Sequence, residues 1–274
     1  MQIQCKGNLI DLSQPKVMGI INLTPDSFYA ESRQQEIDNV LKLCDKMLSD
    51  GADFIDLGAC SSKPGAEAVS EAEEMQRLLP TLEELCKRYP TALFSIDTYR
   101  ATVAKESLEL GAAMINDISA GNLDATMLAT VGQYKAPYIA MHMQGTPENM
   151  QNNPNYENDI VETLIYFFSQ KIKAAYAAGI NDIILDPGFG FGKTIGHNYK
   201  MLKHFDHFQV LGQPLLAGVS RKSMIYKLLE SSPEEALNGT SVAHTLALQK
   251  GANILRVHDV REAKECIKIL EAVQ

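Results

Sequence analysis

One phrase occurs four times in this chain: a glycine, a short gap, an apolar run of strand length and a polar residue at its end. The copies are Gly51-Ala52-Asp53-Phe54-Ile55-Asp56, Gly111-Ala112-Ala113-Met114-Ile115-Asn116-Asp117, Gly179-Ile180-Asn181-Asp182-Ile183-Ile184-Leu185-Asp186 and Gly251-Ala252-Asn253-Ile254-Leu255-Arg256-Val257-His258. A glycine that ends a helix in the left-handed region, followed within a few residues by a buried strand, is the sequence form of one α-to-β step in a parallel sheet. Strands without that lead-in are expected at residues 17–22, 93–97, 137–142 and 214–220. Each of the resulting eight strands is separated from the next by enough chain for a helix, which is the count and order of an α/β fold of the (β/α)8 barrel type.

The carboxyl ends of these strands carry Asn22, Asp56, Asp97, Asn116, His142, Asp186, Ser220 and the pair Arg256 and His258. In a (β/α)8 barrel all these ends lie on one face, where active sites sit. A polar strand end can simply meet solvent or cap the next helix, but here every strand ends this way.

A chain of 274 residues fits a single barrel domain, since the fold typically needs about 250, so residues 1–274 are read as one domain. Residues 3–12 alternate around Gly7-Asn8, a hairpin signal, and the hairpin is expected to cap the amino-terminal end of the barrel. Helices are expected at 34–50, 71–89, 100–110, 159–178 and 261–272. Three stretches rich in Pro, Gly, Ser and Asn, 24–33, 59–70 and 144–158, read as long loops over the mouth. The net charge of −9 argues against nucleic acid as a general partner, because a phosphate backbone needs a basic surface. No apolar run approaches the roughly 20 residues of a membrane span, and the opening residues lack the pattern of a signal peptide, so a cytoplasmic location is expected. The five cysteines, odd in number and without a Cys-x-x-Cys pair, suggest neither a disulfide framework nor a zinc site.

Two segments, Met18-Gly19-Ile20-Ile21-Asn22-Leu23-Thr24-Pro25-Asp26-Ser27-Phe28 and Asp56-Leu57-Gly58-Ala59-Cys60-Ser61-Ser62-Lys63-Pro64-Gly65-Ala66, resemble the signature segments of the dihydropteroate synthases. The likeness continues in order through Ser95-Ile96-Asp97-Thr98, Ile115-Asn116-Asp117-Ile118, Met141-His142-Met143-Gln144-Gly145, Asp186-Pro187-Gly188-Phe189-Gly190-Phe191-Gly192-Lys193, Gly218-Val219-Ser220-Arg221-Lys222-Ser223 and Arg256-Val257-His258-Asp259. The resemblance implies condensation of 6-hydroxymethyl-7,8-dihydropterin diphosphate with p-aminobenzoate, releasing pyrophosphate.

It also implies roles for single residues. Asp186, Asn116 and Asp97 match positions that read the pterin edge, with Lys222 reaching the pterin carbonyl. Arg256 and His258, two apart on a strand and so on one face, match the groups that bind phosphate, with Arg256 lying over the pterin face. Lys222, Arg256 and His258 are the expected catalytic residues. Asn22 matches the position that gives an oxygen to Mg²⁺, which otherwise keeps water and phosphate ligands. Phe28, Ser62, Pro64, Phe191 and Ser223 match positions around p-aminobenzoate, Ser62 also bordering the pterin diphosphate. The barrels of the family usually pair as homodimers through helices near the carboxyl end.

The chain departs from the family pattern at Lys63, where arginine is usual, and in residues 28–33, which lack the usual Asp-Gly-Gly. The glycine-rich run at 188–194 lacks the spacing of a nucleotide phosphate loop. Two other readings stand beside the synthase. A pterin-dependent methyltransferase of the related barrel family shares the Asp/Asn pocket, but Arg256 and His258 argue against it. A pterin-binding regulatory or scaffold subunit without catalysis would not need Asn22, Lys222, Arg256 and His258 together.

Overall fold

The glycines of the four repeated phrases, Gly51, Gly111, Gly179 and Gly251, all lie in the left-handed region, at φ of 98°, 107°, 89° and 88°, which glycine adopts without a Cβ clash. The computed structural model describes residues 1–23, 30–60 and 69–273, the side chains of 30–35 excepted. A hairpin of β1 (Gln2–Cys5) and β2 (Asn8–Asp11) comes first, followed by β3 (Lys16–Asn22), α1 (Ala30–Ser49), β4 (Phe54–Gly58), α2 (Glu71–Arg88), β5 (Phe94–Asp97) and α3 (Ala101–Glu109). The chain continues through β6 (Met114–Asp117), α4 (Met127–Tyr134), β7 (Tyr138–Met141), α5 (Ile160–Ala177), β8 (Ile183–Asp186) and α6 (Ile195–Lys203). After a 3-10 segment, Phe205–Leu211, come β9 (Leu216–Ala217), α7 (Ser223–Leu228), α8 (Leu237–Gln249), β10 (Ile254–Val257) and α9 (Val260–Glu271).

Strands β3 to β10 form one parallel sheet in the order β8-β7-β6-β5-β4-β3-β10-β9. Its two edges meet at a parallel bridge between Leu185 and Leu215, where the Leu185 N–H donates to the Pro214 carbonyl at 2.9 Å. That contact closes the (β/α)8 barrel. β9 keeps only two ladder residues where 214–220 were expected, because the chain turns away after Gly218 toward Arg221, which sits at φ 51°. Helix α1 starts at Ala30, so it takes in part of the stretch expected as loop 24–33.

Helix ends follow local chemistry. The Ser70 hydroxyl accepts from the Glu73 N–H at the start of α2, whose first turn is acidic and last turn basic, as the helix dipole favours. Asp159 caps α5 by accepting from the Val161 N–H at 2.8 Å.

The larger core lies between strands and helices. A second core fills the barrel itself, with one residue from almost every strand: Met18, Phe54, Met114, Ile139, Ile184, Leu216 and Ile254, joined by Leu93 just ahead of β5. Ile3, Cys5 and Leu12 of the amino-terminal hairpin pack into the same cluster, so the hairpin stops the end of the barrel opposite the mouth. Among the described residues no helix is long and apolar enough to cross a membrane.

If the hairpin completes this core, Ile3→Ala, at a side chain 1 % exposed, should lower unfolding free energy by about 2–5 kcal/mol in urea titration. An unchanged midpoint with an unchanged slope would show that the hairpin merely lies on the barrel.

Candidate active site

Side chains along a strand alternate between its two faces. Two residues beyond the apolar layer, the same strands therefore turn Asp56, Asn116, Met141, Asp186, Gly218 and Arg256 into the barrel interior, one level nearer the mouth. Ser95 takes this level on β5, in register with Asp56, and Asp97 stands one level higher. A cleft of about 310 Å³, its open mouth included, is lined by Asp97, Asn116, Asp186, Lys222 and Arg256 among polar groups and by Ile118, Met141, Phe189 and Phe191 among apolar ones.

The floor of the cleft is a network. Arg256 donates through Nε to Asp56 Oδ2 at 2.6 Å and through an amino nitrogen to Asp97 Oδ2 at 2.7 Å. Asn116 Nδ2 donates to the same Asp56 oxygen at 3.0 Å. Burial alone would lower the Arg256 pKa, but Asp56 and Asp97 outweigh it and raise it further. The Asp97 carboxyl is pushed up by burial, with Arg256 pulling against that rise and Asp56 adding to it.

Asp186 accepts from the Gly188 N–H at 2.8 Å; burial raises its pKa, and that hydrogen bond and Lys222 oppose the rise. Gly188 must be glycine, because at φ 71° a Cβ there would stand 2.1 Å from the His142 carbonyl oxygen. The Lys222 ammonium lies 4.2 Å from the centre of the Phe191 ring, a cation–π contact. Burial first, and Arg256 second, lower its pKa to about 8.

His258 stands at the rim, exposed to solvent, with Nδ1 3.0 Å from the Ser220 hydroxyl. Desolvation by the crowded rim, then the Arg256 charge, lower its pKa to about 4. Asn22 is also exposed, at the end of β3. A Cβ on Gly58 would lie 3.7 Å from both Asn22 Oδ1 and Asp97 Oδ2, so that amide oxygen and that carboxylate flank the same glycine. Among the described residues no group of three His, Cys, Asp or Glu side chains could hold a metal by itself. A single neutral amide oxygen is a donor of the type Mg²⁺ accepts, since that ion takes few protein ligands and otherwise keeps water.

Of the residues expected from the sequence, the structure brings Asp97, Asn116, Asp186, Phe191, Lys222 and Arg256 around one cleft. Ser223 is the first residue of α7, directly after Lys222. Phe28, Ser62 and Pro64 lie outside the described residues, as does Lys63. Several participants received no role from the sequence. Asp56 was visible only as a polar strand end, yet it is fully buried and anchors both Arg256 and Asn116. Lys193, 4 % exposed, donates to His142 Nδ1 at 3.0 Å, to the His142 carbonyl at 3.1 Å and to the Phe191 carbonyl at 2.9 Å, tying β7 to the wall that carries Phe191. Arg100 pairs with the buried Glu74 and also reaches Cys60 Sγ at 3.4 Å and the Val69 carbonyl at 2.5 Å. It thus holds the two ends that border residues 61–68.

Residues 18–258 match the family described as pterin binding enzyme. The dihydropteroate synthase of Haemophilus influenzae is 39 % identical over 274 residues, covering 99 % of this chain and 98 % of its own length. That of Escherichia coli is 40 % identical, covering 99 % and 96 %. A Yersinia pestis dihydropteroate synthase solved with a sulfonamide drug complex superposes with a TM-score of 0.93 at 42 % identity, covering 100 % of this chain and 99 % of its own. A Xanthomonas albilineans dihydropteroate synthase solved with 4-aminobenzoic acid gives 0.90 at 36 % identity, covering 100 % and 98 %.

The buried histidines predict how stability depends on pH. Burial lowers the pKa of His142 to about 2 and that of His244 to about 4. Below about pH 6.5 the unfolded chain binds protons at these two histidines that the folded protein refuses, so their contribution to stability is fully present above that pH and is lost as pH falls. Each should cost about 2 kcal/mol between pH 6.5 and 5. Asp97 and Asp186, whose raised pKa values act in the opposite sense, are common to both proteins, so between pH 6.5 and 5 the stability of the native protein in urea should fall relative to that of His244→Leu; a difference that does not change with pH would contradict the assignment.

Proposed function

The chain belongs to the dihydropteroate synthase family of pterin-binding enzymes, and from that premise we propose that it joins 6-hydroxymethyl-7,8-dihydropterin diphosphate to p-aminobenzoate, forming 7,8-dihydropteroate and pyrophosphate for folate synthesis. One observation carries the reading: two carboxylates, an amide, an ammonium and a guanidinium converge on a narrow cleft with apolar walls at the carboxyl ends of the strands. A flat heterocycle with an amino-pyrimidinone edge needs such a lining, because its N–H groups seek carboxylate acceptors and its carbonyl seeks a cationic donor.

In this proposal Asp186 accepts from the pterin edge, with Asn116 and Asp97 as further polar contacts, and Lys222 donates to the carbonyl. Arg256 covers the ring and, with His258, faces the diphosphate. The amine lone pair of p-aminobenzoate forms a bond to the exocyclic methylene carbon while the carbon–oxygen bond to the diphosphate breaks. The electron pair leaves with pyrophosphate, and the amine nitrogen gives up a proton. The electron-rich dihydropterin supports positive charge on that carbon, so no protein nucleophile is required. Asn22 would offer the protein's oxygen to Mg²⁺, which supplies positive charge to the departing pyrophosphate. Phe191 and Ser223, with Phe28, Ser62 and Pro64, complete the proposed aminobenzoate site. The proposal extends to a cytoplasmic homodimer. Leu228 and Leu229 by α7, Val242 and Leu246 on α8 and Ile269 on α9 support the pairing, since all are exposed apolar side chains on the carboxyl-terminal helices.

Asp186→Asn tests the pterin anchor. It replaces a charged acceptor with an amide whose donors would face the pterin N–H groups, and a hydrogen bond to a charged group contributes about 1.5–3 kcal/mol. Pterin affinity should fall about tenfold to a hundredfold, with binding of inorganic pyrophosphate almost unchanged. Calorimetry with each ligand, beside an assay of pyrophosphate release that needs both substrates and Mg²⁺, checks this. Equal pterin affinity in the variant, or no pyrophosphate from the native protein, would contradict the proposal.

A further inference from the structure

Ser220 and His258 form a contact that the reaction described above leaves without a purpose. Ser220 follows β9, is 3 % exposed, and its Oγ accepts from the His258 backbone N–H at 3.2 Å while standing 3.0 Å from His258 Nδ1. A hydroxyl has one hydrogen to give and can accept two hydrogen bonds. If Nδ1 carried a hydrogen, Oγ would accept from both His258 groups and the hydroxyl hydrogen would be buried without an acceptor, since Ser220 has no other hydrogen-bond partner among the described residues. If the hydroxyl donates to Nδ1, every group is satisfied. The ring hydrogen is then on Nε2, the nitrogen on the far side of the ring from Ser220, and this residue is exposed at the mouth.

The neighbouring residues brace the same junction. Arg221 holds Asp259 with both carboxylate oxygens, through Nε at 2.8 Å and an amino nitrogen at 2.9 Å, and donates to the carbonyls of Pro233 and Glu234 at 2.8 Å each. The left-handed backbone at Arg221 lies between the serine that touches His258 and Lys222, which lines the cleft. Residues 220–221 and 258–259 are thus tied at two consecutive positions across the ends of β9 and β10, which limits how the imidazole can turn.

We propose that Ser220 is a positioning residue that presents His258 to pyrophosphate as a neutral donor, with Nδ1 held as acceptor and Nε2 carrying the hydrogen; this rests on the reaction proposed above. A fixed N–H without a full charge would hold a phosphate oxygen yet release the product more readily than another cation beside Arg256. The charged groups facing the imidazole, Arg256, Asp259, Arg221 and Lys222, bear on its proton affinity, whereas the choice of nitrogen follows from the serine.

The test is nitrogen-15 NMR of the histidine rings, with titration, in the whole native protein and in Ser220→Ala. Native His258 should show the Nε2–H form at neutral pH. The serine stabilises the neutral ring by donating to it, so Ser220→Ala should raise the His258 pKa by about 0.5–1 unit. It should also weaken inorganic pyrophosphate about threefold to tenfold, and Ser220→Thr should restore both. Native His258 in the Nδ1–H form overturns the proposal even if the alanine variant does not fold. A folded Ser220→Ala that titrates like the native protein overturns it too. If the ring changes as expected but pyrophosphate binds equally well, the phosphate role assigned to His258 is overturned, and product formation by the native protein still decides separately whether the reaction itself stands.

Discussion

Arg256 donates at once to Asp56 at 2.6 Å and to Asp97 at 2.7 Å, and Asp56 also accepts from Asn116 at 3.0 Å, so one buried network joins β10, β4, β5 and β6 at the barrel mouth. Charges taken out of water cost several kcal/mol each, and removing one partner of a buried pair typically destabilises by about 3–5 kcal/mol. Such a network therefore holds its members in place strongly while adding little net stability. Here the price is met by the apolar layer beneath, where Met18, Phe54, Met114 and Ile254 pack with the amino-terminal hairpin. Two residues after Phe54, Met114 and Ile254 in this layer come Asp56, Asn116 and Arg256, so the packing that stabilises the barrel also aims the site.

Much of the fold could be read from the sequence because its signals are local. A glycine that must turn left-handed after a helix marks each α-to-β step, and Gly51, Gly111, Gly179 and Gly251 all do so. The two-residue alternation that carries Phe54 to Asp56 and Ile254 to Arg256 was legible in the same way, and it places both polar residues in the barrel. Pairing was not legible. Arg256 and Asp56 are 200 residues apart, and nothing near either one says that they meet. Lys193 gave no signal beyond its glycine-rich surroundings, because its acceptors lie on another strand and on a neighbouring carbonyl. β9 misled for a physical reason: residues 218–220 look like strand, but the left-handed Arg221 and its link to Asp259 draw the chain out of the ladder.

Asp97, Asn116, Asp186 and Arg256 stand on strands near their carboxyl ends, where ladder hydrogen bonds fix the backbone and the ion network ties Asp97, Asn116 and Arg256 together. A site built on such elements is set before ligand arrives, which favours binding that requires little reorganisation. The mouth is also crowded with charges: Asp56, Asp97 and Asp186 face Arg256, Lys222 and Lys193. Exchanging or removing any of these charges changes the field felt by the others, so their roles in binding are coupled.

The buried network, more than direct contact alone, gives the cleft its shape. Asp56 lies beneath the cleft without lining it, which makes it the right residue to question. In Asp56→Asn, an amide of nearly the same shape can still accept from Arg256 and Asn116 through its oxygen, with its nitrogen in the place of the unpartnered Oδ1, but the negative charge that pairs with the buried Arg256 guanidinium is gone. Calorimetry with a pterin lacking its diphosphate, on a variant shown to be folded by thermal melt, should find affinity reduced about tenfold or more. A folded Asp56→Asn protein that binds the pterin as tightly as the native one would contradict the account.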